Sequence, residues 1–142
     1  VTASSENSSD SRWDDQSAVK AVDGIADGYA TGLANKHTRF PWAEWVTKNE
    51  GKGAWLNLAY DEAQKVTTIK LYDRPNTDDH ITNSHLEFDD GTTLEVGELP
   101  NDGSVKEISL GEGKEVKNIK FVVDEVSEST TAVGLAEIEV IK

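Results

Sequence analysis

From Gly53 onward the chain alternates apolar and polar residues with period two. Trp55-Leu56-Asn57-Leu58-Ala59-Tyr60 and Thr67-Thr68-Ile69-Lys70-Leu71-Tyr72 predict strands, because successive side chains of an extended chain point to opposite faces of a sheet. Leu86-Glu87-Phe88 and Leu94-Glu95-Val96 alternate apolar with acidic residues and flank Asp89-Asp90-Gly91. That arrangement predicts a hairpin, since Gly accepts the positive φ of a tight turn. Lys106–Leu110, Lys117–Val123 and Ala136–Ile141 continue the series. Short strands separated by turn residues predict an all-β, antiparallel sandwich. Glu87, Glu95, Glu107 and Glu139 fall between core positions and read as a solvated outer face. No segment carries a helical stripe.

The first 54 residues follow another pattern. Thr2 to Ser5 predicts one strand, and Ser17 to Val22 a short helical turn or strand. Gly24 to Lys52 has no sustained period, yet it holds His37, Phe40, Trp42 and Trp45. A connection this long inside a compact domain is usually functional or ordered by something such as a metal. With no internal repeat, residues 1–142 are read as one domain.

Composition narrows the classes. The chain has 142 residues, 36% of them hydrophobic, and a formal charge of −13, with a mean hydropathy of −0.56. No apolar run approaches the roughly 20 residues of a membrane helix, so no membrane insertion is expected. The charge makes nucleic acid a poor partner. There is no Cys, hence no disulfide frame and no thiol nucleophile. The start at Val1 and the absence of Met suit a processed protein or an excised module. The acidity is uneven: residues 1–60 carry net −2 and residues 61–142 net −11, while Lys36 to Lys52 is locally basic. That stretch also contains Phe40, Trp42 and Trp45, and its field is the one most permissive to an anionic or neutral polar ligand.

Catalysis finds little support. His37, His80 and His85 are scattered, with neither a metalloprotease nor a nucleophile-elbow motif, and Gly111-Glu112-Gly113 lacks the rest of a nucleotide fingerprint. A calcium turn is better supported. Lys20-Ala21-Val22-Asp23-Gly24-Ile25-Ala26-Asp27-Gly28 sets two carboxylates four residues apart on a Gly-rich turn, where carbonyls could complete the oxygen shell of a hard cation. Asp-Gly is equally the ordinary residue pair of a turn, so the segment alone leaves both readings open.

The order of these segments carries a resemblance. Lys20-Ala21-Val22-Asp23-Gly24, the aromatic-rich stretch, the Trp55-Leu56-Asn57-Leu58 strand, Tyr72-Asp73-Arg74-Pro75-Asn76 and Gly134-Leu135-Ala136-Glu137-Ile138-Glu139-Val140 follow one another over nearly the whole chain. The series resembles the discoidin, or coagulation factor type C, domains, and among them the family 32 carbohydrate-binding modules. The resemblance implies a jelly-roll (galactose-binding-like) β-sandwich of about eight strands with one structural Ca2+. It implies Ala21, Asp23, Ala136 and Glu137 as the metal ligands. Asp27 joins them because the Ser or Thr usual after the turn is displaced here, position 28 being Gly.

Sugar binding needs an aromatic platform and planar polar groups. In the resembled modules these sit in loops at one end of the sandwich. The candidates carried over are His37, Arg39 and Trp42 from the long connection, and Asp73, Arg74, Asn76 and His80 after a strand end. Trp42 is the platform, and Trp45 and Trp55 are read as core. Trp13 is a second platform or a lid over the calcium turn. Arg74 binds ligand or pairs with Asp73 or Asp78, and His85 is a surface residue.

The sequence therefore reads as a noncatalytic carbohydrate-binding module that carries an appended carbohydrate-active enzyme to a polysaccharide. Its ligand would be a galactose-type, uronic or amino-sugar polymer or oligosaccharide. The expected partners are that polysaccharide and the catalytic domain of a parent enzyme. The module is expected to be a monomer, secreted or on the cell surface. The alternative is a cell-surface adhesion or protein-interaction discoidin domain.

Overall fold

The computed structural model describes residues 1–8, 15–26, 44–74 and 76–142. Among them are seven strands: β1 (Thr2–Ala3), β2 (Trp45–Val46), β3 (Trp55–Asp73), β4 (Ile81–Phe88), β5 (Thr93–Glu95), β6 (Lys106–Val126) and β7 (Gly134–Ile141). The one helical element described is a 3-10 turn, Ala18–Val22. Every strand pair is antiparallel.

The pairing order is β2-β7-β3-β6-β4-β5, with β1 added to β3. The two long strands make this a sandwich. The first half of β3 (55–59) pairs with β1 and with the end of β6, whereas its second half (68–73) pairs with β7 and the start of β6. Register slips between Ala59 and Gln64 and between Val66 and Thr68 mark the passage from one layer to the other. On β6 the same level carries Gly111 (φ 65°) and Gly113 (φ 109°), conformations that L side chains resist. Two pairs of segments expected as separate strands are thus single bent ones.

The core follows the alternation. Leu56, Leu58, Ile69, Leu71, Leu135 and Ile138 join Leu86, Phe88, Ile119 and Phe121 in one buried cluster. Trp45 is fully buried and its indole Nε1 donates to the Ser5 carbonyl at 2.9 Å. Trp55 differs from the core position expected of it. It alternates with buried Leu56 and Leu58, so its ring lies on the outer face, half-buried, with the Lys120 ammonium 4.9 Å from the ring centroid. Glu87, Glu95, Glu107 and Glu139 are none of them buried, as expected of an outer face, and Glu87 lies between buried Leu86 and Phe88.

Candidate functional site

Five of the residues singled out from sequence, Asp27, Trp13, His37, Arg39 and Trp42, lie outside the described residues. The structure gathers the remaining ligand candidates at one end of the sandwich, around a buried ionic hub. β3 ends at Asp73, which places Arg74 at the mouth of the core. The Arg74 guanidinium donates from Nε to Glu44 Oε2 at 3.2 Å, and from Nη1 to Asp79 Oδ2 at 3.0 Å and to the Ala132 carbonyl at 2.8 Å. Glu44 is 0% exposed, Asp79 7% and Arg74 8%, so two carboxylates share one guanidinium away from water. Burial pushes the Glu44 carboxyl up despite the Arg74 charge. Burial would raise Asp79 too, but N–H groups of Ala132 and Thr131 and the Arg74 charge hold it below the usual range.

Arg74 therefore occupies a different place from the ligand-facing one expected. All three guanidinium nitrogens are directed at protein oxygens. Its partners are Glu44 and Asp79, where the sequence offered Asp73 or Asp78. Asp73 is equally internal: Oδ1 accepts the Arg74 amide at 2.8 Å and Oδ2 the Ile81 amide at 3.1 Å, and burial pushes its carboxyl up to about 7. That position likewise differs from the ligand-facing one expected of it. Asn76 is half-buried, with Nδ2 donating to Asp79 at 3.0 Å and Oδ1 accepting the Asp78 amide at 2.8 Å. His80 is half-buried, with Nε2 2.9 Å from the Leu99 carbonyl.

Sequence reasoning missed four parts of the hub. Glu44 is one acid among 27, and nothing local distinguishes it from a solvated carboxylate. Asn101 reaches from the connection after β5 to the Arg74 carbonyl at 2.6 Å, and the amides of Thr131 and Ala132 donate to Asp79 at 2.8 and 3.0 Å. These contacts join segments 27 to 58 residues apart in the chain, separations that no local pattern encodes. The result is one root shared by the connections after β3, β5 and β6 and by Glu44.

The calcium candidates meet elsewhere, where the 3-10 turn packs on β7. Ala21 and Ala136 are buried, and Asp23 follows the turn as an exposed residue. The Gly24 amide donates to Glu137 Oε1 at 3.2 Å. Glu137 is 6% exposed, and its Oε2 is buried without a hydrogen-bond partner. Burial, with the Asp23 charge added, pushes the Glu137 carboxyl up to about 7, and partial burial raises Asp23 as well. Two adjoining carboxyls, one with an orphaned oxygen, fit a hard cation. Among the described residues no cluster of three His, Asp or Glu completes such a site, so backbone oxygens and residues such as Asp27 would have to supply the rest. Glu137 also borders two openings. One of about 440 Å³ is lined chiefly by Val1, Val22, Leu58, Tyr60, Ile138 and Val140. The other, of about 340 Å³, is lined by Gly24, Ala26, Tyr72, Glu137 and Glu139.

The architecture is that of discoidin-like lectin domains and family 32 carbohydrate-binding modules. The chain is similar to CpGH89CBM32-5 from Clostridium perfringens, solved with GalNAc-β-1,3-galactose: TM-score 0.70, 19% identity, 99% of this chain and 93% of that one covered. It is similar to the family 32 module of NanJ from C. perfringens, solved with galactose, at TM-score 0.68 and 20% identity over 98% and 90% of the chains. A chitosan-binding module from a chitosanase/glucanase of Paenibacillus sp. IK-5 matches at TM-score 0.67 and 18% identity over 99% and 92%. No curated protein matches the chain. Residues 1–141 match the model of the family described as "Domain of unknown function (DUF7402)", and the chain belongs to that family.

Proposed function

We propose that the protein is a noncatalytic carbohydrate-binding module that holds an appended carbohydrate-active enzyme on a polysaccharide outside the cell. The observation that carries this reading is the hub, which roots several connections at one end of a rigid sandwich, as a site built from loops requires. With Asp73 and Arg74 spent on the root, the sugar contacts in this reading fall to Trp42 as platform and to His37, Arg39, Asn76 and His80 as polar partners. A galactose-type sugar is the first candidate, ahead of uronic or amino-sugar polymers. A single site of this kind gives Kd of about 10⁻³ to 10⁻⁵ M, and attachment to an enzyme works by raising local concentration.

Two measurements test it. Titrating the protein with galactose-type, uronic and glucosamine oligosaccharides should change tryptophan fluorescence for one class, and Trp42→Ala should remove that response while leaving the melting temperature within 2 °C or so. If Trp42→Ala unfolds the domain instead, the platform is core. A folded protein that answers to no sugar would shift the reading to a protein-interaction domain.

We also propose one structural Ca2+, held by Asp23 and Glu137 with backbone oxygens of Ala21 and Ala136, and Asp27. Its role would be to tie the 3-10 turn to β7. A cation bound only by the folded state at about a hundred times its Kd adds roughly 2.7 kcal/mol. Chelation should therefore lower the melting temperature by roughly 8 °C, and Asp23→Ala should reproduce the shift without a chelator. An unchanged melting temperature in protein free of bound metal would remove the ion from this account.

A further inference from the structure

The outer face of β4 and β6 carries a second charge network, built on residues that take no part in the hub. The β4–β6 register runs Asn83↔Glu125 and then Ser84↔Val123, which leaves Asp124 as the extra residue of a bulge. A bulge re-aims the side chain it carries. Asp124 Oδ2 lies 2.7 Å from His85 Nδ1, while Glu87 Oε1 lies 3.1 Å from Nε2 of the same ring. Both ring nitrogens thus face carboxylates. A neutral imidazole has one N–H and one lone pair, so it can satisfy only one of the two, whereas the imidazolium satisfies both.

We infer that His85, clamped between Asp124 of β6 and Glu87 of its own strand, is a pH-sensitive latch whose hold on β6 is tightest when the ring is protonated and weakens as the solution turns alkaline. The other charges facing it are few. Lys120, on β6, sits 3.9 Å from the far oxygen of Glu87 and neutralises part of that carboxylate. Glu95 stands opposite His85 on β5, and Glu125 opposite Asn83 on β6, both exposed. Val122, paired with His85 on β6, is uncharged. The surroundings are therefore acidic in balance and favour the charged ring. Partial burial alone would lower the His85 pKa, but the two hydrogen bonds and the two carboxylate charges outweigh it and raise the ring above 6.5.

The sign follows. A histidine whose folded pKa is raised contributes stability that is complete below the unfolded value and lost as pH climbs through the folded one. The latch therefore grips in mild acid and fades in mild base. Its position gives it reach. β4 begins at Ile81, whose amide donates to Asp73 at the hub's edge, so the hold on β4 also steadies the connection carrying Asn76 to His80.

The test has two arms. In the wild type, an NMR titration of the His85 ring should place its midpoint above 6.5, and Asp124→Asn should move that midpoint down. Separately, urea midpoints of wild type and His85→Gln are compared at pH 6 and pH 9. Asp73 and Glu137 also lose protons across this range, but they do so in both proteins and cancel in the difference. The wild type should be the more stable at pH 6, by a few degrees in a parallel thermal melt, and the gap should close by pH 9. A ring that titrates at or below 6.5, or a gap of the same size at both pH values, would overturn the latch.

Discussion

Arg74→Ala is expected to cost about 3–5 kcal/mol, the loss typical when one partner of a buried ion pair is removed. The reason is the geometry of what remains. Glu44 and Asp79 would be left out of water at a site built around a guanidinium, with the Ala132 carbonyl losing its 2.8 Å donor. Against a typical total of about 5–15 kcal/mol, that is a large share of the fold's stability. Arg74→Lys should recover little, because one ammonium cannot reproduce a fork that reaches Glu44 from two nitrogens and Asp79 from the third. Adding Glu44→Gln to Arg74→Ala should be less than additive, since the second change removes a charge that the first left stranded. The measurement is a urea melt of each variant, read with sugar binding. The ligand role suggested by the sequence makes the opposite forecast: Arg74→Ala would silence binding and leave the urea midpoint where it was.

Gly134→Ala should be nearly as damaging, for a reason that involves no charge. β7 opens with Gly134, paired with Val46 of β2. A Cβ at position 134 would sit 1.9 Å from the Trp45 carbonyl oxygen and 2.9 Å from its carbon. No rotamer relieves a clash with backbone, so β2 would have to move. Trp45 resists that movement because its side chain is fully buried and its indole is hydrogen-bonded to Ser5. Overpacking of this kind costs about 1–3 kcal/mol and sometimes more, and a backbone neighbour places it at the upper end. The signature would be a lower urea midpoint with an unchanged slope. A midpoint equal to the wild type would mean that β2 and β7 do not approach this closely.

The strands were legible where one face of the sheet meets the core, because burial on one side imposes period two. Leu56, Leu58, Ile69 and Leu71 announce β3, and the acidic residues between Leu86, Phe88, Leu94 and Val96 announce the hairpin. What alternation cannot reveal is the level at which a strand changes layers. For that reason the β3 and β6 segments read as four strands rather than two. At Trp55 the alternation with Leu56 and Leu58 did point outward, and only the apolar bulk of the ring suggested core. The contacts of the ligand candidates after β3 were not legible. Asp73, Arg74, Asn76 and His80 do converge, yet a carboxylate such as Glu44, 30 residues from Arg74 in the chain, decides that the guanidinium turns inward. Glu137 stood out in the terminal motif, and the structure leaves its Oε2 buried without a hydrogen-bond partner.

The shared long strands give the sandwich a particular kind of cooperativity. In a stack of two independent sheets, one layer could fray while the other persisted. Here β3 and β6 pair with each other in both layers, from Trp55↔Val122 to Leu71↔Lys106, on either side of the two register slips. Neither layer can therefore dissolve without unzipping the pair that also holds the other. The partners are also far apart in sequence, so the chain must close long loops before either layer gains stability, and such topologies fold slowly and all at once. The domain's endurance under tension is thereby tied to the one β3–β6 seam rather than to the sum of two sheets.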